Sequence, residues 1–168
     1  MPGAKYKIPI SVLVVIHTLD LQVLLLERAD WPGFWQSVTG SLARQDEPLA
    51  DTAAREVREE TGIAAYEHRL EDWDMRNRFE IFHKRRSLFL PGTTHNIEHV
   101  FGLTVAEPVA VTLEPREHLR YVWLPWREAA AKTPSWSNRD AILLLPEKAA
   151  GPAPALSGAR PASALAPP

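Results

Sequence analysis

The sequence predicts an α/β domain, and three observations carry that prediction. Residues 7–17, KIPISVLVVIH, form an almost unbroken apolar and β-branched run, which marks a strand buried on both faces. Residues 48–60 follow helical periodicity and stop at Gly62. Strand-like runs at 100–105 and 121–124 are then followed by helical stretches at 127–132 and 138–145. With 168 residues the chain is long enough for one domain with its own core.

Taken in order, the first strand turns through Leu19-Asp20-Leu21-Gln22 and returns over 23–27, closed by Arg28. Ala29-Asp30-Trp31-Pro32-Gly33 reads as a loop, and residues 34–40 lead into the helix. Pro48 is tolerated in that helix's first turn, where backbone donors lack partners, and Asp46 and Glu47 suit its positive end. Leu49, Ala50, Ala53, Ala54 and Val57 share one arc, expected to face the core. Residues 67–82 alternate weakly and hold Trp73, Phe79 and Phe82. The basic run His83-Lys84-Arg85-Arg86 reads as a solvated hairpin end, with phosphate steering as the other reading. Pro91-Gly92 marks a turn, and Glu107-Pro108 opens a connection to the 121–124 strand. Ser137 is the expected N-cap of the last helix. Thirteen of residues 149–168 are Ala or Pro, too little apolar side chain to offset chain entropy. The expected division is a folded domain over 1–148 and a disordered tail over 149–168.

Net charge is −2, so no basic surface advertises nucleic-acid binding. There is no cysteine, hence no disulfide framework and no thiol chemistry. No secretory signal and no apolar run of about 20 residues is present, so the expected setting is cytoplasmic, away from membranes.

The chemistry concentrates in Arg55-Glu56-Val57-Arg58-Glu59-Glu60-Thr61-Gly62-Ile63. Glu56, Glu59 and Glu60 crowd one edge of the helix, where like charges repel. Carboxylate oxygens in such a group suit Mg²⁺ or Mn²⁺, which bind one or two carboxylates together with waters and substrate phosphates. An isolated E-x-x-E-E reads first as a solvated helix face paired to Arg55 and Arg58. The wider pattern decides between them.

That pattern resembles the signature of the Nudix hydrolases, G-x5-E-x7-R-E-U-x-E-E-x-G-U with U aliphatic. Glu47, seven intervening residues, and the run Arg55 to Ile63 occupy every fixed position. Six residues rather than five separate Gly40 from Glu47, an insertion in the loop before the helix. Val38-Thr39-Gly40 also stands where many members have Pro-Gly-Gly. The resemblance implies an α/β/α sandwich with a mixed β-sheet between helices, and metal-dependent hydrolysis of a diphosphate linked to another moiety. It assigns Glu56, Glu59 and Glu60 to the metal site and lets Arg55 orient a neighbouring carboxylate, Glu47. Of the later acids, Glu117 is chosen over Glu114 as a further ligand or base.

Segments beyond the signature resemble one branch of the family, the dihydroneopterin triphosphate diphosphatases. They are Tyr6-Lys7 with Pro9, the run Phe34 to Ser41, Phe79-Glu80-Ile81-Phe82, Glu117-His118-Leu119 with Trp123, and Ser135-Trp136-Ser137-Asn138-Arg139. By that likeness Lys7 and Arg28 contact the triphosphate, while Thr39, Phe79, Glu80, Ile81, Phe82 and Ser135 line the pterin or its side chain. Each aromatic also reads as ordinary core, and the two cations as solvated strand ends. The implied reaction converts 7,8-dihydroneopterin triphosphate to the monophosphate and pyrophosphate. The rival is a housecleaning nucleoside triphosphate pyrophosphatase, and a non-catalytic Nudix binding module would be expected to have lost signature acids. One pattern is set aside: His95-Asn96-Ile97-Glu98-His99 matches a zinc-protease motif that requires a helix, but here it runs into a β-branched segment. Its histidines read as pocket or surface groups and Glu98 as half of a local ion pair.

Overall fold

In the computed structural model, which describes residues 5–151, the long apolar run becomes strand β1, Ile10–Thr18, buried along nearly its whole length. Such a strand needs partners on both edges and cover on both faces, and the fold supplies them. Strand β2 (Gln22–Arg28) follows a turn in which Leu21 adopts φ 63°. Two short strands, β3 (Trp35–Gln36) and β4 (Val38–Ser41), occupy the stretch expected only to lead into the helix. Helix α1 spans Leu49–Thr61. Then come β5 (Arg69–Glu80), β6 (His95–Val105), β7 (His118–Pro125), and helices α2 (Trp126–Lys132), α3 (Trp136–Leu143) and α4 (Leu145–Ala149).

The sheet is mixed. Its path runs β3-β2-β1-β6-β5, with β4 added on β1 and β7 on β2. β1 lies parallel to β6 from Ile10↔Ile97 to Thr18↔Val105, and β5 is antiparallel to β6. β1 and β2 meet only at His17↔Val23. Beyond that pair they diverge: β4 takes the freed edge of β1 from Ser11↔Ser41 to Val14↔Val38 and β3 that of β2 at Leu26↔Gln36 and Glu27↔Trp35, while β7 lines the other edge of β2. The fork opens at the ends that carry Lys7 and Arg28, which are therefore not neighbours across a closed hairpin.

Alternation along β1 sends Val12, Val14 and Ile16 to one face and Leu13 and Val15 to the other. The first set packs against Ala53 and Val57 of α1; the second packs against Ala129, Ala130, Ala141, Ile142 and Leu145 of α2, α3 and α4. Helices therefore cover both faces, an α/β/α sandwich. Gly62 ends α1 at φ 76°, its amide bonded to Arg58 O at 2.9 Å. The buried face of α1 is rotated from expectation: Ala50 is exposed, while Thr52, Ala53, Val57 and Glu60 are buried. That rotation turns a glutamate inward.

The cap of α3 is Ser135, not Ser137; its hydroxyl accepts from Asn138 N at 3.4 Å, and Ser137 is buried inside the first turn. The predicted 138–145 helix breaks at Leu144, because Pro146 lacks an amide donor and starts a new turn in α4. The basic run 83–86 opens a 3-10 turn, His83–Leu88, rather than a free hairpin end. The tail proposed over 149–168 falls, from residue 152 on, outside the described residues. No helix among the described residues is long and apolar enough to cross a membrane.

Candidate active site

Arg55 organises the site. Its Nε and Nη2 donate to Glu47 at 2.8 and 3.2 Å, its Nη1 to Glu56 at 2.8 Å, and its Nη2 to Ser41 O at 3.0 Å. A planar guanidinium with five donors ties the loop before α1, strand β4 and two signature acids into one rigid unit. Glu47 also accepts from Ala43 N at 2.6 Å. The Arg55 guanidinium holds the Glu47 carboxyl down to about 2 against the cost of burial. Glu47 is thus a fixed anion that steadies the loop. Glu59 is the exposed member of the group, 3.4 Å from Arg55 Nη1.

Glu56 and Glu60 point the other way, toward β4. The Glu56 carboxylate lies directly over Gly40, where an added Cβ would fall 2.0 Å from its Cδ. Only glycine permits that approach, so β4 and α1 are matched at this point. Burial pushes the Glu56 carboxyl up to about 7 despite the pull of Arg55, and Glu59 and Glu117 add repulsion. Glu60 is only 5% exposed; burial first, then Glu56 and Glu117, raise it well above the usual range, with the Thr39 amide and Arg28 opposing. Its Oε2 is buried without a partner.

Glu117, at the start of β7, completes the group. One ligand atom each from Glu60, Glu117 and His118 lie within 4.8 Å of one another. His118 Nδ1 is also buried and unpartnered, and burial, then Arg28, pushes its imidazolium down to about 4. Buried carboxylates that repel each other, an orphan carboxylate oxygen and a neutral imidazole form a donor set that fits a divalent cation. Held by these residues, such an ion would supply the positive charge that the protein leaves out and could polarise phosphate oxygens and acidify water. Glu59, Glu114, Arg116 and Glu117 line an open cleft of ≈ 460 Å³ beside it. The sequence motif alone gives His118 no role. Its signal was its place beside Glu117 just before a strand.

None of the remaining predicted substrate residues lines that cleft. Arg28 is half-buried and bidentate to Asp30, at 2.7 Å on both oxygens, while Arg85 reaches Asp30 Oδ2 at 2.7 Å. Asp30 therefore bridges the 29–33 loop and the basic turn, a role that sequence did not suggest. Lys7 is exposed, and its backbone amide donates to Leu88 O at 2.8 Å. Phe82 is 66% exposed and stands edge-on to Trp31 at 6.3 Å, so it is not core. Trp35 is half-buried under Arg120 and Lys132. Glu80 pairs with Arg86, Ile81 is buried, and Phe79 and Thr39 are half-buried. The Ser135 hydroxyl serves as a cap. The set-aside H-x-x-E-H segment is strand, as expected, but Glu98 makes no ion pair among the described residues. It is buried, with Ser137 and Asn77 beside its carboxylate.

These features find close counterparts among known proteins. The family model described as NUDIX domain matches residues 7–145. The Escherichia coli K12 protein named dihydroneopterin triphosphate diphosphatase is 45% identical over 145 residues, 84% of this chain and 95% of its own length. Its Haemophilus influenzae namesake is 40% identical over 141 residues, 82% and 87% of the two chains. The solved structure titled as the E. coli dihydroneopterin triphosphate pyrophosphohydrolase superposes with TM-score 0.75, covering 82% of this chain and 94% of that one. A Listeria monocytogenes Nudix structure shares the fold at TM-score 0.70 and 21% identity, covering 84% and 94%. Signature helix, carboxylate cluster and these relatives agree: the chain belongs to the Nudix hydrolase family.

Proposed function

We propose that this Nudix hydrolase converts 7,8-dihydroneopterin triphosphate to dihydroneopterin monophosphate and pyrophosphate, using Mg²⁺ or Mn²⁺. The observation that carries the reading is identity of 45% sustained over 95% of a relative bearing that activity's name. In this reading one water adds across the anhydride between the first and second phosphates. Phosphoryl transfer asks for positioning and charge neutralisation more than for covalent chemistry. Glu56, Glu60 and Glu117, with the His118 imidazole beside them, would hold the cation, Arg55 and Glu47 keep Glu56 in place, and Glu59 or Glu117 would take the proton of water at the cleft. Arg28 and Lys7 meet the outer phosphates, Arg28 by exchanging its Asp30 partner for phosphate. Thr39, Phe79, Glu80, Ile81, Phe82 and Ser135 line the pterin end. A small-molecule triphosphate is the only partner this chemistry needs, in the cytoplasm where such metabolites are made.

The test is kcat/KM with Mg²⁺ for dihydroneopterin triphosphate, dATP and 8-oxo-dGTP. The pterin is expected to lead by at least about tenfold, the scale at which one good contact discriminates. Equal or better turnover of either nucleotide would overturn the substrate assignment. Within the panel, Lys7→Ala and Arg28→Ala should each cost about 1.5–3 kcal/mol for every substrate. Ser135→Ala and Phe82→Ala should instead penalise the pterin selectively.

A further inference from the structure

Of the buried carboxylates outside the metal end, Glu27 is satisfied by Arg120 and the Gly33 amide, whereas Glu98 has no ion pair among the described residues and no task in the reading above. It sits on β6 in register with Ser11 of β1 and Asn77 of β5. Residues opposite one another across a ladder share a face, so Glu98 joins Asn77 and Ser11 on the α3 side of the sheet. Two positions along, Asn96 faces Phe79 in the same register and donates from Nδ2 to Ser11 Oγ at 2.8 Å. Ser137 of α3 lies on the Glu98 carboxylate, and the Ser137 hydroxyl is 3.3 Å from that of Ser135. Glu98 is thus flanked by β5, which carries Phe79, and by α3, which Ser135 caps, two residues proposed for the pterin end.

Its chemistry is unfinished. The residue is 5% exposed, yet Oε1 has no hydrogen-bond partner. Ser137 and Asn77 hydrogen-bond to the carboxylate, yet Oε1 is left open. Ser11 Oγ accepts from Asn96 and makes no bond to Oε1, while Asn138 serves Ser37, accepting from its amide at 2.7 Å and donating to its hydroxyl at 2.9 Å. No Lys or Arg pairs with Glu98 among the described residues. An orphan acceptor of this kind costs stability until a donor arrives. A carboxylate is acceptor-only and takes two parallel N–H donors best. A pyrimidinone ring with an amino group beside its ring N–H presents two such donors on one edge. Dihydroneopterin and guanine carry that edge; adenine offers an acceptor where they offer the ring N–H.

We propose that Glu98 is the specificity residue that receives the amino and ring N–H edge of the substrate's heterocycle. The inference rests on the pterin reading for its location and extends to any triphosphate with that edge. It makes the enzyme a reader of 2-amino-4-oxo pyrimidine rings, with the phosphates anchored separately at the metal end.

The experiment measures kcat/KM for dihydroneopterin triphosphate, GTP and ATP with wild type and Glu98→Gln, together with the binding of phosphate-free dihydroneopterin by its fluorescence. Wild type should favour GTP over ATP by at least about tenfold. In Glu98→Gln the pterin and GTP should lose about 10- to 100-fold, as for one charged hydrogen bond, the loss for ATP should be at least tenfold smaller, and dihydroneopterin binding should weaken in parallel. A uniform loss on all three substrates, or no loss, would show a merely structural carboxylate and overturn the proposal. If the variant does not fold, absence of GTP-over-ATP preference in wild type overturns it by itself. Failure of the pterin reading looks different: GTP preference and its loss in the variant persist, while dihydroneopterin triphosphate is not turned over.

Discussion

The ion pair between Arg55 and Glu47 yields the most quantitative expectation. Glu47→Gln keeps the shape of the side chain and removes its charge. The carboxyl is held at about 2 where an unperturbed glutamate titrates at 4.5, and at 1.36 kcal/mol for each tenfold change in proton affinity that is about 3.4 kcal/mol. Side-chain exposures of 9% for Glu47 and 29% for Arg55 admit some solvent screening, which trims the figure to about 2 kcal/mol. For a domain of this size that is about 4–8 °C in Tm. The sign with pH follows from the direction of the shift. A depressed carboxyl contributes fully above the unfolded value near 4.5, and its contribution is lost as pH falls toward 2. The assay is urea and thermal unfolding of both proteins without metal, at pH 7 and at steps down to pH 3. Wild type should be the more stable at pH 7, and the gap should narrow below pH 4.5. A variant within 1 °C of wild type at pH 7, or a gap that stays constant to pH 3, would refute the reasoning.

Two further expectations concern the metal end. Glu60→Gln should lower kcat by orders of magnitude, yet raise the Tm of the metal-free protein at pH 8, since a neutral amide removes a buried repelled charge; Mg²⁺ should stabilise wild type and leave the variant unmoved. Equal Mg²⁺ responses in the two proteins would remove Glu60 from the metal site. Gly40→Ala should displace the Glu56 carboxylate, which lies 2.0 Å from the added Cβ, and reduce kcat about 100-fold while circular dichroism stays native; normal turnover would mean that Glu56 is not needed in that position.

The fold was legible where one periodicity dominates. The β1 run, the α1 helix and its Gly62 stop emerge close to their predicted bounds because long apolar patterns and a left-handed cap depend on local sequence. What was not legible depends on distant chain. Nothing local in Trp35–Gln36 or Val38–Ser41 marks strands; they exist because β1 and β2 part and leave edges to fill. Ala50 is as helical as Ala53, and only the docking of α1 on β4 decides that Thr52 and Glu60 are buried in place of Ala50. The carboxylates of the site were legible as a motif of fixed spacing. His118 and Asp30 were not, since one becomes relevant by lying near Glu60 and the other by bridging Arg28 to Arg85.

The unsatisfied polar atoms make a final point about how stability is distributed. Among the described residues, three buried side-chain atoms lack partners: Glu60 Oε2, His118 Nδ1 and Glu98 Oε1. Each costs about 1–3 kcal/mol in the free protein, a penalty that a chain selected for stability alone would remove with an apolar residue of similar volume. Two of the three lie beside Glu117 at the metal end, and the third lies under Ser137 at the other end of the proposed substrate path. In the proposed function a cation would complete the first two, and in the Glu98 proposal a pair of ring donors would complete the third. On this view the deficit is stored where ligands land. Binding energy that would otherwise be spread over the surface is then concentrated at the two ends of one molecule, a triphosphate at the carboxylates and a flat amino-pyrimidinone at Glu98. A ligand holding only one of those ends should recover only part of the deficit, so Mg²⁺ with pyrophosphate and dihydroneopterin without phosphate should each stabilise the protein less than the two together.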